Sequence, residues 1–300
     1  MKSNEYEVII IGGSYAGLSA AMSLGRASRR TLVIDAGRPC NRQTPHSHNF
    51  LTRDGETPAA IAATAREQVL RYPAIRFEND TVAGILKSGN NFTLKTESGA
   101  TYIAKKILLA TGVYDIMPNI KGFAECWGIS IIHCPYCHGY EVKGEKTAVL
   151  ANGDMAYHYA ALLQQWTKHL TILTNGKADF TPEQTEKLEK YNITIIETSI
   201  VEIVHNEGQL KSIITTDGNK HEFSAMYSRP EFKQHIPIAE QLNLLNDMGY
   251  IATDEMQRTN TAGIYAAGDC TSPMRAVASA VASGNMAGAA INNDMAMETF

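Results

Sequence analysis

The sequence lacks the features that would assign it to several common classes of protein. No apolar run approaches the roughly 20 residues that cross a bilayer, and neither low-complexity segments nor short repeats occur. The net charge is only −4 and basic residues form isolated pairs such as Arg29-Arg30, so neither nucleic acid nor a membrane is expected as a partner. Met1–Tyr6 carries charges of both signs, unlike a signal peptide. These absences predict a cytoplasmic globular protein.

Cysteine is also scarce, with five in 300 residues, and in the cytoplasm most of them should be reduced. Cys134 and Cys137 nevertheless form a C-x-x-C pair, flanked by His133 and His138. In this setting a close pair is more often catalytic or metal-binding than structural. Cys40 and Cys126 have no spaced partner and are expected to be plain thiols, and Cys270, just after Asp269, is expected to be a small packing residue.

The N-terminal region reads as a strand, a glycine turn, a helix and a second strand. Glu7–Ile11 is a β-branched run typical of a buried parallel strand. The turn Gly12–Gly17 follows, and then Leu18–Ala27, whose Ala and Leu residues favour a helix. A second strand, Thr31–Ile34, ends at Asp35. This order is the βαβ fingerprint of a dinucleotide-binding unit.

The fingerprint also indicates how a nucleotide would be held. Gly12 and Gly17 permit a tight turn, and the free N–H groups at the helix N-terminus attract a pyrophosphate. Asp35 lies about 20 residues further on, where a carboxylate accepts a ribose hydroxyl. Ser14 replaces the usual middle glycine, so a hydroxymethyl group, which can donate a hydrogen bond, stands where the backbone approaches the phosphate. A purely structural glycine turn is the alternative.

Two alternations of strands and helices make up the chain. The first ends with the strand Lys106–Ala110, the second begins at Thr147–Leu150, and a strand at Thr261–Ala267 and a helix at Met274–Asn292 come last. The intervening segments are predicted to be helices at Thr57–Tyr72, Met155–Thr167 and Pro182–Tyr191, and strands at Ile75–Glu78, Val82–Ser88, Phe92–Thr96, Thr101–Ile103, Leu170–Leu173, Ile193–Glu197, Ile200–Val204 and Leu210–Thr215. The predicted fold class is α/β, with two Rossmann-like (three-layer ββα) nucleotide-binding domains, the second inserted in the first. Residues 1–114 and 247–300 would form the outer domain, and residues 115–246 the inserted one.

With these motifs in place, the chain resembles the low-molecular-weight thioredoxin reductases and the related FAD-dependent pyridine nucleotide-disulfide oxidoreductases, including the dithiol oxidases. The resemblance covers nearly the whole length. It rests on Gly12–Asp35, the A-T-G of Ala110–Gly112 and the Y-A-A-G-D of Tyr265–Asp269, with C-x-x-C between the second and third. It implies an FAD domain made of both chain ends, an inserted pyridine-nucleotide domain that carries the cysteine pair, and a homodimer.

The resemblance further implies which residues bind FAD. Gly12 and Gly17 would face the pyrophosphate, Asp35 the adenosine ribose, and Asp269 the ribityl–phosphate part. The other residues implied to bind the cofactor are Ser14, Asn49, Val82, Thr111, Gly112, Gly268, Arg275, Ala276 and Val277. A helix N-cap remains the alternative for Asp269, and ordinary loop or strand roles remain open for Asn49 and Val82.

The cysteine pair has the spacing of a redox-active dithiol. Such motifs commonly lower the pKa of one thiol, and the thiolate is the species that attacks in disulfide exchange. The departing sulfur needs an acid/base group, and His138 stands where the family usually has Asp. An imidazole titrates near neutral pH and can serve this role. By resemblance Cys137 would face the flavin and Cys134 would attack the partner, while a structural role stays open for His138 and for His133.

Two other functions use similar residues. C-P-Y-C is also the glutaredoxin motif, but there it begins a helix in a small domain, whereas here it lies between two nucleotide-binding units. A zinc site of His133, Cys134, Cys137 and His138 would place sequence neighbours on one tetrahedral ion, and no second C-x-x-C completes it. His46 and His48 have metal-like spacing without acidic or thiol companions, so a loop near the flavin is the expected setting.

The signal for a nicotinamide cofactor is weak. The second glycine turn is degenerate, with Ala151 in place of its first glycine in Ala151–Ala156. The basic cluster that would hold a 2′-phosphate is replaced by Thr174–Lys177, which has one lysine and no arginine. Because a phosphate without a positive partner is poorly held, NADPH is disfavoured strongly and NADH less so.

Three functions therefore remain. A nicotinamide could reduce FAD and then Cys134–Cys137, which would reduce a thioredoxin-like protein or a small disulfide. Alternatively, a dithiol substrate could reduce the pair, with FAD passing the electrons to oxygen, as in dithiol oxidases. The third possibility is a non-enzymatic flavin redox sensor. The sequence favours an FAD-dependent disulfide oxidoreductase and leaves the direction of electron flow open.

Overall fold

The protein, described here over residues 4–300 of a computed structural model, consists of two compact units. Unit 1 contains residues 1–42, 49–114 and 232–300, and unit 2 contains residues 43–48 and 115–231. The first three residues of Met1–Tyr6, on which the expectation about a signal peptide partly depends, lie outside the described residues.

The secondary structure is given in chain order. Up to residue 115 the elements are β1 (Glu5–Ile11), α1 (Tyr15–Arg26), β2 (Thr31–Asp35), α2 (Pro58–Leu70), β3 (Ile75–Asn79), β4 (Val82–Ser88), β5 (Asn91–Thr96), β6 (Thr101–Leu109) and β7 (Val113–Asp115). Then come α3 (Phe123–Cys126), β8 (Ile131–Ile132), α4 (Pro135–His138), β9 (Thr147–Leu150), α5 (Gly153–Leu163), β10 (Leu170–Leu173), α6 (Pro182–Lys190), β11 (Thr194–Ile196), β12 (Ile200–Asn206), β13 (Gln209–Thr215), β14 (Lys220–Glu222) and β15 (Ala225–Ser228). The chain ends with β16 (Phe232–Gln234), α7 (Ile238–Gln241), β17 (Ile264–Ala266) and α8 (Val277–Met297).

Unit 1 is built on a seven-stranded sheet in the order β3-β2-β1-β6-β5-β4, with β17 also paired to β6. Strands β1, β2, β3, β6 and β17 run parallel, whereas β4 and β5 form an antiparallel meander. Alternate residues of β1 enter different cores: Val8 and Ile10 pack with α1 and α8, and Ile9 and Ile11 pack on the opposite face. Parallel strands that are covered on both faces read as continuous apolar runs, which is why the E-V-I-I-I segment predicted this strand.

Unit 2 has a five-stranded parallel sheet in the order β11-β10-β9-β15-β8, beside a three-stranded antiparallel sheet of β12, β13 and β14. Ala148 and Leu173 belong to one core, and Val149 and Ile172 to another. The predicted strands at Thr147 and Leu170 are confirmed, as is the helix that begins after Thr181. This residue forms a full capping box with Gln184.

Three differences from the prediction concern the two main sheets and the boundary between the units. Thr101–Ile103 and Lys106–Ala110, predicted as separate strands, form the single strand β6, because β1 pairs with it continuously, from Ile103 and Ala104 to Lys106 and beyond. Strand β15 was not predicted, although it lies in the middle of the second sheet. The chain returns to unit 1 after Glu231 rather than after Asn246.

The position of this return has a structural reason. Strand β16, just after the return, pairs with β7, which ends where the chain enters the second and longer segment of unit 2. The backbone N–H of Ile116 also donates to the carbonyl oxygen of Glu231 at 2.7 Å. The outgoing and returning segments therefore run side by side, and no sequence signal marks a pairing between segments so far apart.

Candidate functional site

The turn between β1 and α1 can be formed only by glycine at two of its positions. Gly12 has φ +103°, and a Cβ there would lie 2.2 Å from the carbonyl oxygen of Ala110. A Cβ on Gly17 would lie 1.9 Å from the carbonyl oxygen of Gly12. Both values are far below any real contact distance, so the two glycines allow strand, turn and helix to pack closely.

The same turn offers hydrogen-bond donors to an anion. Helix α1 begins at Tyr15 after Ser14, whose side chain makes no cap hydrogen bond, and the first N–H groups of a helix have no intrahelical acceptor. The Asp35 carboxylate, at the end of β2, accepts a hydrogen bond from the Gly13 N–H at 3.0 Å. That contact fixes the turn against β2. These residues fit the diphosphate of a dinucleotide such as FAD.

The remaining residues implied to bind FAD all lie in unit 1. Val82 is buried at the start of β4, and Asn49 has φ +59° and donates its N–H to Asp54 at 2.7 Å. Gly268 has φ +86°, and its N–H donates to the Ser283 hydroxyl at 3.0 Å. Thr111, with buried Oγ1, and Gly112, with φ +63°, follow β6 after Ala110. Ala276 is the N-cap of α8, and Val277 is its first residue.

Asp269 is placed by two contacts and is not the helix N-cap. Its Oδ2 lies 3.7 Å from Arg275 Nε and accepts a hydrogen bond from Cys40 Sγ at 3.6 Å. Helix α8 begins later, at Val277.

Burial raises the pKa of two cysteines outside the C-x-x-C pair, to about 11 for Cys126 and about 12 for Cys270. Both are therefore thiols rather than thiolates at neutral pH.

The C-x-x-C pair lies at the short helix α4 in unit 2. Cys134 is its N-cap and Cys137 its third residue, and the two form a disulfide with Cα atoms 5.3 Å apart. The N–H groups of Cys137 and His138 both donate to the Cys134 carbonyl oxygen at 3.2 Å. Pro135 at the first helical position suits this geometry because its missing N–H would have no partner there. The sequence spacing thus places both sulfur atoms on one turn.

His138 follows Cys137 directly, and its pKa is lowered. Burial is the main cause, the His48 imidazole lowers it further, and the Glu141 carboxylate opposes both. At neutral pH His138 is therefore a neutral imidazole that can accept a proton. His48 and Glu141 belong to the same site, with His48 Nε2 3.4 Å from Glu141 Oε1. The sequence did not predict these two neighbours.

His133, on the other side of the cysteine pair, packs against an aromatic side chain. Its ring stacks on Trp127 with centroids 5.9 Å apart, and its carbonyl oxygen accepts a hydrogen bond from the Tyr159 hydroxyl at 2.9 Å. Trp127 in turn stacks on Phe123. These contacts position the backbone before Cys134.

Within residues 4–300, no group of three or more His, Cys, Asp or Glu side chains is arranged to hold a metal ion.

The N-terminus of α5, where unit 2 would hold a nicotinamide dinucleotide, is occupied by the chain's own side chains. Asn152 Oδ1 accepts hydrogen bonds from Gly153 N–H and Asp179 N–H, both at 2.9 Å, and its Nδ2 donates to the Lys177 carbonyl oxygen at 2.9 Å. Asp154 lies in the first turn and accepts a hydrogen bond from Gln184 at 2.7 Å. A dinucleotide phosphate needs these N–H groups and a positive environment. The residues present do not fit it.

A Rossmann-like unit whose glycine turn fits a dinucleotide diphosphate, in the same chain as a unit with a C-x-x-C disulfide and an adjacent histidine, is typical of a disulfide oxidoreductase. The family pattern "Pyridine nucleotide-disulphide oxidoreductase" matches residues 6–285, and the chain belongs to this family. It is a thioredoxin reductase-like oxidoreductase, an enzyme. In the described part of the chain, no helix has both the length and the apolar character that a membrane span requires.

Individual relatives agree with this assignment. The chain is 32% identical over 306 residues to "thioredoxin reductase sirT" of Leptosphaeria maculans, covering 96% of this chain and 93% of that protein. The crystal structure of a putative thioredoxin reductase TrxB from Bacillus anthracis has a TM-score of 0.93 at 32% identity, covering 98% of this chain and all of that one. An oxidoreductase from Agrobacterium tumefaciens has a TM-score of 0.91 at 38% identity, covering 98% and 99%. The fold predicted from sequence is thereby confirmed.

Proposed function

We propose that the protein is an FAD-dependent dithiol/disulfide oxidoreductase in which Cys134 and Cys137 are the redox-active pair. The observation that carries the proposal is the disulfide at α4 with His138 directly after it, in a chain of the disulphide oxidoreductase family. FAD would be held in unit 1 by Gly12, Ser14, Gly17 and Asp35 and by the other residues named above. When bound, it supplies a two-electron carrier that exchanges an electron pair with the cysteines.

The side chains of α4 account for the thiol chemistry. In the oxidative direction, a substrate thiol gives its proton to the neutral imidazole of His138 and attacks Sγ of Cys134. A bond forms between these two sulfur atoms, the Cys134–Cys137 bond breaks, and its electron pair leaves with Cys137 as the thiolate. The second substrate thiol loses its proton to solvent and, as a thiolate, attacks the substrate sulfur of the mixed disulfide, which releases Cys134 as a thiolate and the substrate as a disulfide.

Two observations favour a dithiol, rather than a nicotinamide, as the electron donor. The N-terminus of α5 is capped by Asn152 and bordered by Asp154, so a nicotinamide dinucleotide has no phosphate site there. The lowered pKa of His138 suits a base that takes a proton from an incoming thiol. The second candidate function is therefore a dithiol oxidase that passes electrons to oxygen. The substrate would be a small dithiol or a thioredoxin-like protein, and the active form a homodimer.

Anaerobic flavin bleaching tests both the proposal and the direction. We expect dithiothreitol to bleach the flavin band of the FAD-loaded protein, while NADPH and NADH leave it unchanged. The Cys137→Ser variant should retain FAD and show no bleaching by dithiothreitol, and its Cys134 thiol should form a mixed disulfide when it is offered a small disulfide such as oxidised glutathione. Bleaching by NADPH on a millisecond-to-second scale would rule out the oxidase. A Cys137→Ser variant that bleaches like the unmodified protein would remove the cysteine pair from the mechanism.

A further inference from the structure

A short N-terminal segment reaches the cysteine site of unit 2. Residues 43–48 belong to that unit, although the chain on both sides of them belongs to unit 1. The Gln43 Nε2 donates to the carbonyl oxygen of Ala124 at 3.4 Å. At the other end of the segment, the ring of His48 lies beside that of His138, with centroids 6.4 Å apart and the planes at 90°. The segment thus brings a second imidazole to α4.

His48 and Glu141 form a pair next to His138. His48 Nε2 lies 3.4 Å from Glu141 Oε1, and the side chains are 23% and 39% exposed. Glu141 follows α4 after Gly139 and Tyr140, on the same side of the cysteine pair in sequence as His138. A carboxylate that accepts from one ring nitrogen fixes the orientation and tautomer of the imidazole. Glu141 therefore orients the ring that faces His138.

The charges that act on His138 come from these two side chains. Glu141 follows α4 and favours the protonated form of His138, while His48 of the 43–48 segment opposes it. Two phenols lie close to this site: burial raises the pKa of Tyr227 of β15, on which Glu141 also acts, and the ring of Tyr159 of α5 lies 6.0 Å from that of Tyr227. The ring of His46 lies 6.4 Å from that of His48. Glu141 and His48 therefore act on His138 in opposite directions.

We propose that His48 and Glu141 are positioning residues for His138, and that His48 offsets the effect of the Glu141 carboxylate so that His138 can accept the thiol proton in mildly acidic solution. The inference rests on the proposed role of His138 as the base of thiol exchange. Without His48, the Glu141 carboxylate acts unopposed and holds a proton on His138. Without Glu141, the His48 imidazole acts unopposed and disfavours the protonated form of His138. The two residues therefore have opposite effects on one group.

The test is the pH dependence of the reaction of the Cys134–Cys137 disulfide with dithiothreitol, followed by quench and thiol alkylation of the full-length, FAD-loaded protein. The acid limb of this profile, where the rate falls as His138 becomes protonated, should move to higher pH in His48→Gln and to lower pH in Glu141→Gln. At about pH 5.5 we expect His48→Gln to react about threefold more slowly than the unmodified protein, and Glu141→Gln to react faster.

Three matched variants make the result decisive. His46→Gln carries the same substitution in the same segment and should keep the profile of the unmodified protein. Glu141→Asp retains the charge and should restore that profile. His138→Gln should lose the limb itself, so that adding His48→Gln produces no further shift. This pattern would establish the proposal.

Several results would overturn it. Equal slowing by His48→Gln and Glu141→Gln at every pH, shifts in the same direction, or an unchanged limb in both would show that the pair only supports the local structure. Alkylation detects the thiols of Cys134 and Cys137 directly and does not depend on the flavin. The assay therefore remains valid if dithiothreitol fails to bleach FAD. Failure of the proposed electron path can thus be distinguished from failure of this inference.

Discussion

At the scale of single residues, the site depends on groups whose environment, rather than identity, decides their chemistry. His138 replaces the family's usual aspartate, and burial lowers its pKa, which makes it a base at neutral pH. Cys126 and Cys270 have the same side chain as Cys134, but burial keeps them protonated. The residue type gives the possible chemistry, and the solvation of the side chain selects one protonation state.

The contribution of the Asp294 carboxylate to stability can be tested directly. It accepts hydrogen bonds from Arg258 Nε and Nη2, both at 2.7 Å, and from the Tyr265 hydroxyl at 2.5 Å. The Arg258 hydrogen bond is the main cause that lowers the pKa of Asp294 to about 2. Because the folded-state pKa is lowered, the ionised carboxylate stabilises the fold above its unfolded pKa of about 4. This stabilisation is lost as the pH falls towards about 2.

We therefore expect Asp294→Asn to reduce the free energy of unfolding by about 2 kcal/mol at neutral pH, measured by urea denaturation. Asp247 is exposed, so Asp247→Asn serves as the control and should change the free energy by less than about 0.5 kcal/mol. The difference between unmodified protein and Asp294→Asn should narrow between about pH 4 and pH 2. A difference that stays constant over this range would show that the carboxylate charge contributes nothing.

At the scale of elements, α1 and α8 pack closely against each other on one face of the sheet of unit 1. Gly284 and Gly288 of α8 lie against Ala16 and Ala20 of α1, where a Cβ would come within 2.1 Å and 2.7 Å of a carbonyl oxygen. The Ser19 hydroxyl also donates to the Val281 carbonyl oxygen at 2.7 Å. Small residues bring the two backbones close, and the Ala-rich composition alone predicted helices without predicting this contact.

Gly284→Ala should destabilise the protein despite the better helix propensity of alanine. The propensity gain is about 0.5–1 kcal/mol, but the overlap with Ala16 requires α8 to move, and overpacking costs about 1–3 kcal/mol. We expect a net loss of about 2 kcal/mol in chemical denaturation. Gly84→Ala on β4, where a Cβ would meet nothing within 4 Å, is the control. If Gly284→Ala left the free energy of unfolding unchanged or raised it, α1 and α8 would be able to move apart without loss of stability.

At the scale of the whole molecule, the chain has two units that each possess their own apolar cores. The clusters around β1 and β6 contain only residues of unit 1, and those around β9 and β10 only residues of unit 2. The proposed FAD residues all lie in unit 1. A ligand that binds one folded unit raises the stability of that unit by mass action.

We expect calorimetry of the full chain to show two unfolding transitions, because two independent cores violate two-state behaviour. Removal of FAD should lower the transition that Gly284→Ala also lowers. It should leave unchanged the transition that is lowered by Leu163→Ala, a fully buried position in unit 2. If FAD removal lowered only the transition sensitive to Leu163→Ala, the cofactor would be held in unit 2 instead.

The amino-acid sequence by itself determined the local features of this protein. The Gly12–Gly17 turn, the strand that ends at Asp35 and the cap at Thr181 could be predicted because each depends on the conformations of neighbouring residues. The C-x-x-C disulfide could be predicted because the spacing alone places both sulfur atoms on one turn. The family resemblance followed from the order of these motifs.

Only the tertiary structure decided which distant residues meet. His48 lies beside His138 because a six-residue segment, residues 43–48, belongs to unit 2, and no local pattern encodes that. The Asn152 side chain caps α5 and also forms hydrogen bonds with the backbone of Lys177 and Asp179. The degenerate glycine motif at this helix N-terminus is therefore in contact with a distant loop. Lys106 lies buried within β6, and Glu298, far away in sequence, pairs with its ammonium group. Such contacts arise from the packing of whole elements, where burial and charge compensation act between residues that are remote in sequence.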